Sequence, residues 1–235
     1  MSYKEIKGNI FNSNAMAIVN TVNCVGVMGK GIALEYRLRY PDMFNEYESL
    51  CSQRMLKPGQ ILPYRKSKPW ILNFAIKDDW KQPSKAQWIE STLQKFCSNY
   101  REMGITSVAF PLMGAMNGGI PVELIWKLTR DYLSEITDID VEVYEFDSAA
   151  SDRLFEKLRM ISSNEFIDIP NILSKSKIKK KYWIAILEAV RSNEVKSLYQ
   201  LVNYKSGGKR IIGNTNVERL YHFLSLQDEN KVLLF

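Results

Sequence analysis

Asn20-Thr21-Val22-Asn23-Cys24-Val25-Gly26-Val27-Met28-Gly29-Lys30-Gly31 is the stretch that decides the fold class. The apolar run Ala17-Ile18-Val19 leads into it and Ile32-Ala33-Leu34 follows, so a strand runs into a loop with three glycines and then into a helix. Glycine lets backbone N–H groups approach a ligand closely, and a helix N-terminus adds partial positive charge. That combination suits a phosphate or diphosphate; the plain alternative is a tight turn closing a strand–helix unit. Asn20 and Asn23 put amide donors and acceptors at the mouth of the loop, where they are expected to read sugar hydroxyls. The spacing is neither the dinucleotide fingerprint nor a P-loop, because Lys30 is followed by Gly31 and not by Ser or Thr.

A second loop of the same kind lies further along. Thr106 to Leu112 is almost wholly apolar, as a central parallel strand should be, and Met113-Gly114-Ala115-Met116-Asn117-Gly118-Gly119 follows it. A helix is expected from Pro121 to about Ile136, with Val122, Ile125, Leu128, Tyr132 and Leu133 as its core stripe. Between the two loops the pattern predicts helices over 30–39 and 42–54 and strands over 61–65 and 70–76. A further helix should open at Pro83-Ser84, with Ser84 as its cap, and bury Ile89, Leu93 and Phe96. Strands at 3–7 and 141–146 and a helix over 149–160 complete the domain. Alternating strands and helices define an α/β class with helices on both faces of the sheet. In such sheets ligands sit at the carboxyl ends of strands, so both glycine loops should share one rim and hold one ligand between them.

At 235 residues, 46% hydrophobic and 25% charged, the chain is globular and long enough for one large domain or a medium one with an appendage. The opening Met1-Ser2-Tyr3-Lys4-Glu5-Ile6-Lys7-Gly8 has no apolar segment of a secretory leader, and no apolar run approaches membrane-span length. Cys24, Cys51 and Cys97 are widely spaced, which points to reduced thiols in a cytoplasmic protein without structural zinc. Cys24 is expected to be a packing residue, not a nucleophile, since the sole histidine, His222, is remote in sequence and supplies no evident base. His222 itself is expected to be packed in the last helix, and no metal site is visible.

The net charge of +6 is uneven: from residue 165 onward there are twelve Lys/Arg against seven Asp/Glu, leaving +1 for everything before. A linker is expected over 162–174, after a first domain spanning 1–161. Residues 175–235 then form a small basic helical module. Its helices are expected over 179–191, 194–203 and 216–226, with the basic stretch Lys205-Ser206-Gly207-Gly208-Lys209-Arg210-Ile211-Ile212-Gly213 as a turn or hairpin. Such a module is either winged-helix-like and nucleic-acid-binding or a helical cap with a solvated charged face.

The first loop, continued through Ile32-Ala33, resembles the signature of macrodomains of the DarG type, the antitoxins of DarT/DarG toxin–antitoxin systems. Gly8-Asn9-Ile10 resembles the family's first-strand motif. Asn73-Phe74-x-x-Lys77-x-x-Trp80 resembles its lysine motif, and Gly114-x-x-Asn117-Gly118-Gly119 its second loop. The similarity covers about residues 1–150. It implies a three-layer α/β/α macrodomain with a mixed, mostly parallel sheet that removes ADP-ribose from modified nucleic acid, thymidine in single-stranded DNA in the DarG case. ADP-ribose is then ligand or product, no cofactor is needed, and a cognate ADP-ribosyltransferase toxin is the implied partner.

By the same resemblance Asn9 and Ile10 meet the adenine, and Asn23 contacts the distal ribose. Gly26, Val27, Met28, Gly29, Lys30 and Gly31 wrap the diphosphate and distal ribose. Gly114, Ala115, Met116, Asn117, Gly118 and Gly119 close the other side. Lys77 is the implied catalytic residue, acting on the anomeric carbon; a lysine in a desolvating pocket has a lowered pKa and can act as a nucleophile. Asp78 and Asp79 are either proton shuttles or a solvated turn before Trp80. The chain departs from the family pattern at Asp78-Asp79, where a basic or histidine-containing stretch is expected. It departs again at Met116, where glycine is expected, and at Ile120-Pro121-Val122 in place of Leu-Asp-Trp. The alternatives to a hydrolase are a reader of ADP-ribose without turnover and a toxin-binding interaction protein. A Rossmann-type oxidoreductase is excluded by the loop spacing.

Overall fold

The computed structural model describes residues 2–116, 118–164 and 168–226. The chain divides into two compact units, Met1–Phe146 and Asp147–Phe235.

In the first unit the order is β1 (Tyr3–Gly8), a short 3-10 turn (Ile10–Asn12), β2 (Ala17–Val22), α1 (Gly31–Arg39), α2 (Pro41–Ser52), β3 (Ile61–Tyr64), β4 (Trp70–Ala75), α3 (Ala86–Asn99), β5 (Ser107–Pro111), α4 (Val122–Leu133) and β6 (Asp140–Phe146). Among the described residues six strands form one sheet in the order β1-β6-β5-β2-β4-β3. All neighbours are parallel except β3, which runs antiparallel to β4. The three-layer, mostly parallel arrangement expected from the sequence is present.

Side-chain alternation explains how both faces become cores. Ala17, Val19, Leu72, Phe74, Val108, Phe110, Val141 and Val143 point to one face, where Ile89, Leu93 and Phe96 of α3 and Ile125 and Leu133 of α4 cover them. Ile18, Val22, Ile71, Ala75, Ala109 and Tyr144 point to the other, under Tyr36 of α1 and Met43, Tyr47 and Cys51 of α2. Burying each large side chain stabilises the unit by about 1.5–3 kcal/mol.

Two local expectations are corrected. Ser84 does not cap α3: the helix starts two residues later, its N-cap position is Lys85, and no side chain bonds there. On α4 the buried stripe is Ile125, Thr129 and Leu133, while Val122 is exposed because it occupies the first turn beyond the sheet's cover.

The second unit holds α5 (Arg153–Ser163), α6 (Ile169–Ser176), α7 (Lys180–Arg191), α8 (Leu198–Asn203), a hairpin of β7 (Lys205–Ser206) with β8 (Lys209–Arg210), and α9 (Asn214–Leu226). Asp152 sets the start of α5, its carboxylate accepting from the N–H groups of Leu154 and Phe155 at 2.9 and 3.0 Å. The hairpin turns at Gly207-Gly208, both at positive φ, the conformation a two-residue hairpin turn demands. Trp183 is fully buried, its indole N–H donating to Ser176 Oγ at 2.7 Å, with Phe223 packed edge-on at 5.5 Å.

The division of the chain falls earlier than the expected boundary at residue 161. Helix α5 packs on α7 and α9 and so belongs to the second unit. Of the expected linker over 162–174, residues from Ile169 onward form α6, with Asp168 capping it through the Asn171 N–H; residues 165–167 lie outside the described residues. His222 is exposed and not packed, because α9 turns Val217, Leu220, Tyr221 and Leu224 inward and leaves position 222 on the outer side.

Candidate functional site

The chain crosses the sheet in opposite directions on leaving β2 and β5. From β2 it passes through α1 and α2 on one face. From β5 it passes into α4 on the other. Adjacent parallel strands whose connections leave in opposite directions create a crevice at their carboxyl ends. The two strands pair at Ala17–Val108 and Ile18–Ala109; among the described residues the ladder ends there, well short of Val22 and Pro111. Both glycine loops start from this rim, as the sequence pattern requires.

The first loop is shaped by Asn23. Its Oδ1 accepts from the N–H groups of Val25 (3.0 Å) and Val27 (3.2 Å), and its Nδ2 donates to the Val27 carbonyl at 2.5 Å. Tyr47 of α2 is fully buried and donates its hydroxyl to the Asn23 carbonyl at 2.8 Å, 3.1 Å from Asn23 Oδ1. Asn23 therefore holds the shape of the loop at its mouth. Asn20 shares the inward face with Ile18 and Val22, is fully buried, and donates to Asn73 Oδ1 on β4 at 2.8 Å, with Met28 Sδ at 3.9 Å. In the loop Val25, Val27, Gly29 and Lys30 are exposed, while Cys24, Gly26 and Met28 are buried. Lys30 occupies the N-cap position of α1, and Gly31 is its first residue at φ 57°.

The second loop closes on itself. A Cβ on Gly118 would stand 2.3 Å from the Gly114 carbonyl oxygen and 2.5 Å from its Cα, so only glycine fits. Ala115 is half-buried, Gly119 exposed, and Met116 is 62% exposed, pointing outward. Asn117 lies outside the described residues.

Between the loops runs the segment that carries Lys77. The Ile76 N–H donates to the Val22 carbonyl at 3.0 Å, keeping the chain beside β2 as it leaves β4. The Cys24 N–H then donates to the Asp78 carbonyl (3.0 Å), and at the far end the Ser84 N–H donates to the Gly118 carbonyl (2.9 Å). The segment is thus hydrogen-bonded to both glycine loops. Lys77 is half-buried, and burial holds its ammonium below the ordinary lysine pKa. Asp79 Oδ1 accepts from the Lys81 N–H at 2.9 Å and Asp78 is exposed, the geometry of a turn. Trp80 is half-exposed, with Lys81 Nζ 5.5 Å from its ring centroid.

Asn9 and Ile10 follow β1 on the same rim and are buried. Asn9 opens the 3-10 turn, its Oδ1 accepting from the Phe11 N–H at 3.1 Å. Burial, with Cys51 and Asp78 nearby, pushes the Cys24 thiol up to about 12, so it is a packing thiol at neutral pH. No group of three or more His, Cys, Asp or Glu among the described residues is placed to hold a metal, and no described helix is long and apolar enough to cross a membrane. Sequence reasoning gave Tyr47 no role at the loop and read Asn73 only as part of the lysine motif. The signal available for both was a polar group at an inward position, next to an asparagine that needed a partner.

The sheet order, the crevice and the paired glycine loops define a class of nucleotide-binding α/β/α domain, and comparison with known proteins specifies it. Residues 19–128 match the Macro domain family. The macrodomain of Thermus aquaticus DarG superposes with a TM-score of 0.58 at 33% identity, covering 61% of this chain and 97% of that one. The chain belongs to the macrodomain family. The DNA ADP-ribosyl glycohydrolase of Mycobacterium tuberculosis is 37% identical over 141 residues, or 58% of this chain. Thermosipho africanus DarTG in complex with ADP-ribose matches with a TM-score of 0.58 at 29% identity, over 62% of this chain and 42% of that one. The chain spans about 40% of the length of the curated DarG-type relatives it matches.

Proposed function

We propose that this protein is a hydrolase that removes ADP-ribose from ADP-ribosylated nucleic acid, with thymidine in single-stranded DNA as the acceptor, and that it serves as antitoxin to a DNA ADP-ribosyltransferase. The observation that carries this reading is the Lys77 segment, tied by backbone hydrogen bonds to the first glycine loop at Asp78 and to the second at Gly118. A ligand whose diphosphate lies along the loops has its distal ribose delivered beside Lys77. The names of the DarG-type relatives support the substrate class, and the ADP-ribose complex of the Thermosipho protein supports the ligand.

In this reading the backbone N–H groups of Gly26 to Gly31 hold the diphosphate, with α1's N-terminus adding positive potential. Gly114 to Gly119 close the opposite side, and Asn9 and Ile10 border the adenine. Asn20 and Asn23 act from beneath, one fixing strand β2 to β4 and the other shaping the loop. Lys77 acts at C1 of the distal ribose. Its lowered pKa raises the share of neutral amine, which adds to C1 of the ring-opened C1=N iminium; the proton lost from the Lys77 nitrogen passes to the base nitrogen as the C1–N bond to the base breaks, leaving C1 joined to Lys77 as a C1=N Schiff base. Water then hydrolyses the C1=N bond to Lys77, releasing ADP-ribose and the free amine. The compartment that fits a DNA substrate is the cytoplasm.

The test is release of ADP-ribose from an ADP-ribosylated thymidine oligonucleotide by the wild-type chain and by Lys77→Ala, with ADP-ribose affinity measured on both. Turnover by wild type, and binding without turnover by Lys77→Ala, is the expected result. Binding without turnover by both overturns the hydrolase in favour of a reader.

A further inference from the structure

Ion pairs occur in both units; in the second, Arg159 pairs with Glu156. In the first, Lys66 with Glu46, Arg101 with Asp138, Lys127 with Asp131 and Arg130 with Glu5 are ion-paired. From Asp168 to Leu226 there are eleven Lys/Arg and only four Asp/Glu. Among the described residues no acidic side chain pairs with Lys175, Lys177, Lys179, Lys180, Lys205 or Lys209, and all six are exposed. Like charges crowded without partners repel and lower stability, a cost that a bound polyanion removes.

The fold gathers these charges from separate stretches of chain. The Arg219 guanidinium of α9 donates to the Lys177 carbonyl at 2.9 Å, which brings α9 against the corner between α6 and α7 where five lysines lie between 175 and 181. Arg210 donates to the Val202 carbonyl at 2.9 Å and to Asn214 Oδ1 at 3.2 Å, which seats the basic hairpin on the first residue of the same helix. Asn214 and Arg219 are separated by roughly 8 Å along the helix axis, about two nucleotides of a strand. The hairpin tip, Ser206-Gly207-Gly208, carries no apolar side chain to insert into lipid. Helix α9 places Glu218 among its exposed residues, which does not suit reading bases in a groove.

We infer that the second unit binds a nucleic-acid strand through its phosphate backbone, without base readout, using the 175–181 corner and the 205–210 hairpin. This inference is independent of the chemistry at Lys77. The experiment is titration of an unmodified fluorescent oligothymidylate into the full chain over a range of salt. With about five phosphates neutralised, affinity should fall about 100-fold between roughly 50 and 200 mM salt. Lys205→Glu with Lys209→Glu, and separately Lys179→Glu with Lys180→Glu, should each weaken binding at least about ten-fold and flatten the salt dependence, with a melting temperature no lower than that of wild type. Absence of binding at low salt, binding insensitive to salt, charge-reversed variants that bind like wild type, or equally tight binding to phosphatidylserine vesicles would each overturn the inference. ADP-ribose release is scored in a separate assay, so either proposal can fail alone.

Discussion

The hydroxyl of Tyr47 stands 2.8 Å from the carbonyl oxygen of Asn23, so a buried helix residue holds the glycine loop from below. Tyr47→Phe keeps the ring and its packing but removes the donor. A lost hydrogen bond of about 1 kcal/mol corresponds to ADP-ribose binding about five-fold weaker, measured by calorimetry. Unchanged affinity would mean that Asn23 holds the loop without help from α2.

Gly118 and Gly104 make a matched pair of tests. Gly118→Ala drives a Cβ into the Gly114 backbone, whereas Gly104, at φ +73°, has nothing within 4 Å of an added Cβ. Gly104→Ala should show only the left-handed strain of about 1–2 kcal/mol as a lower melting temperature. Gly118→Ala should in addition lose ADP-ribose binding, because the second loop must open to accept the methyl group.

Asn20→Ala should act on stability. It leaves Asn73 Oδ1 buried without its 2.8 Å donor, at a cost of about 1–3 kcal/mol in urea unfolding. ADP-ribose affinity extrapolated to the folded fraction should stay near wild type. A large affinity loss in a stably folded variant would restore Asn20 to the ligand surface.

Lys77 sets a pH dependence. Burial lowers its folded pKa below the ordinary lysine value, so between the two values the unfolded chain binds more protons and stability rises with pH. The sign for turnover is the same. The reactive neutral amine grows as pH climbs through the folded pKa, so single-turnover ADP-ribose release should increase with pH and level off above it. Lys77→Arg, which stays charged, should abolish release while retaining ADP-ribose binding.

Cys24 should be chemically silent. With its thiol pushed up to about 12, iodoacetamide at neutral pH should leave it unmodified in the folded chain, and Cys24→Ala should retain turnover within about two-fold. Loss of turnover in a folded, ADP-ribose-binding Cys24→Ala would revive the thiol as nucleophile.

Much of the first unit was legible because its signals are local. The near-continuous apolar runs of 17–22 and 70–75 mark strands buried on both faces, the 89, 93, 96 spacing of α3 states its buried face, and the glycine clusters state where the chain must turn tightly. Ends of elements were less legible. Ser84 looks like a cap but its N–H is taken by Gly118, and α5 begins where Asp152 captures two N–H groups, later than its apolar pattern suggests. The domain boundary was misplaced because α5 has an apolar face in either case, and only its partners, α7 and α9, decide which core it joins.

By itself the sequence determined the α/β class, the two loops, the lysine after β4 and the basic character of the second unit, all of which follow from residue type and short-range spacing. Only the tertiary structure decided that Asn20 faces inward to Asn73, that Asn23 serves its own loop under Tyr47, and that one segment joins Lys77 to both glycine loops. The physical reason is that a strand's alternation divides its side chains into two sets without saying what covers each. A backbone N–H likewise has no preferred partner until distant parts of the chain are folded beside it.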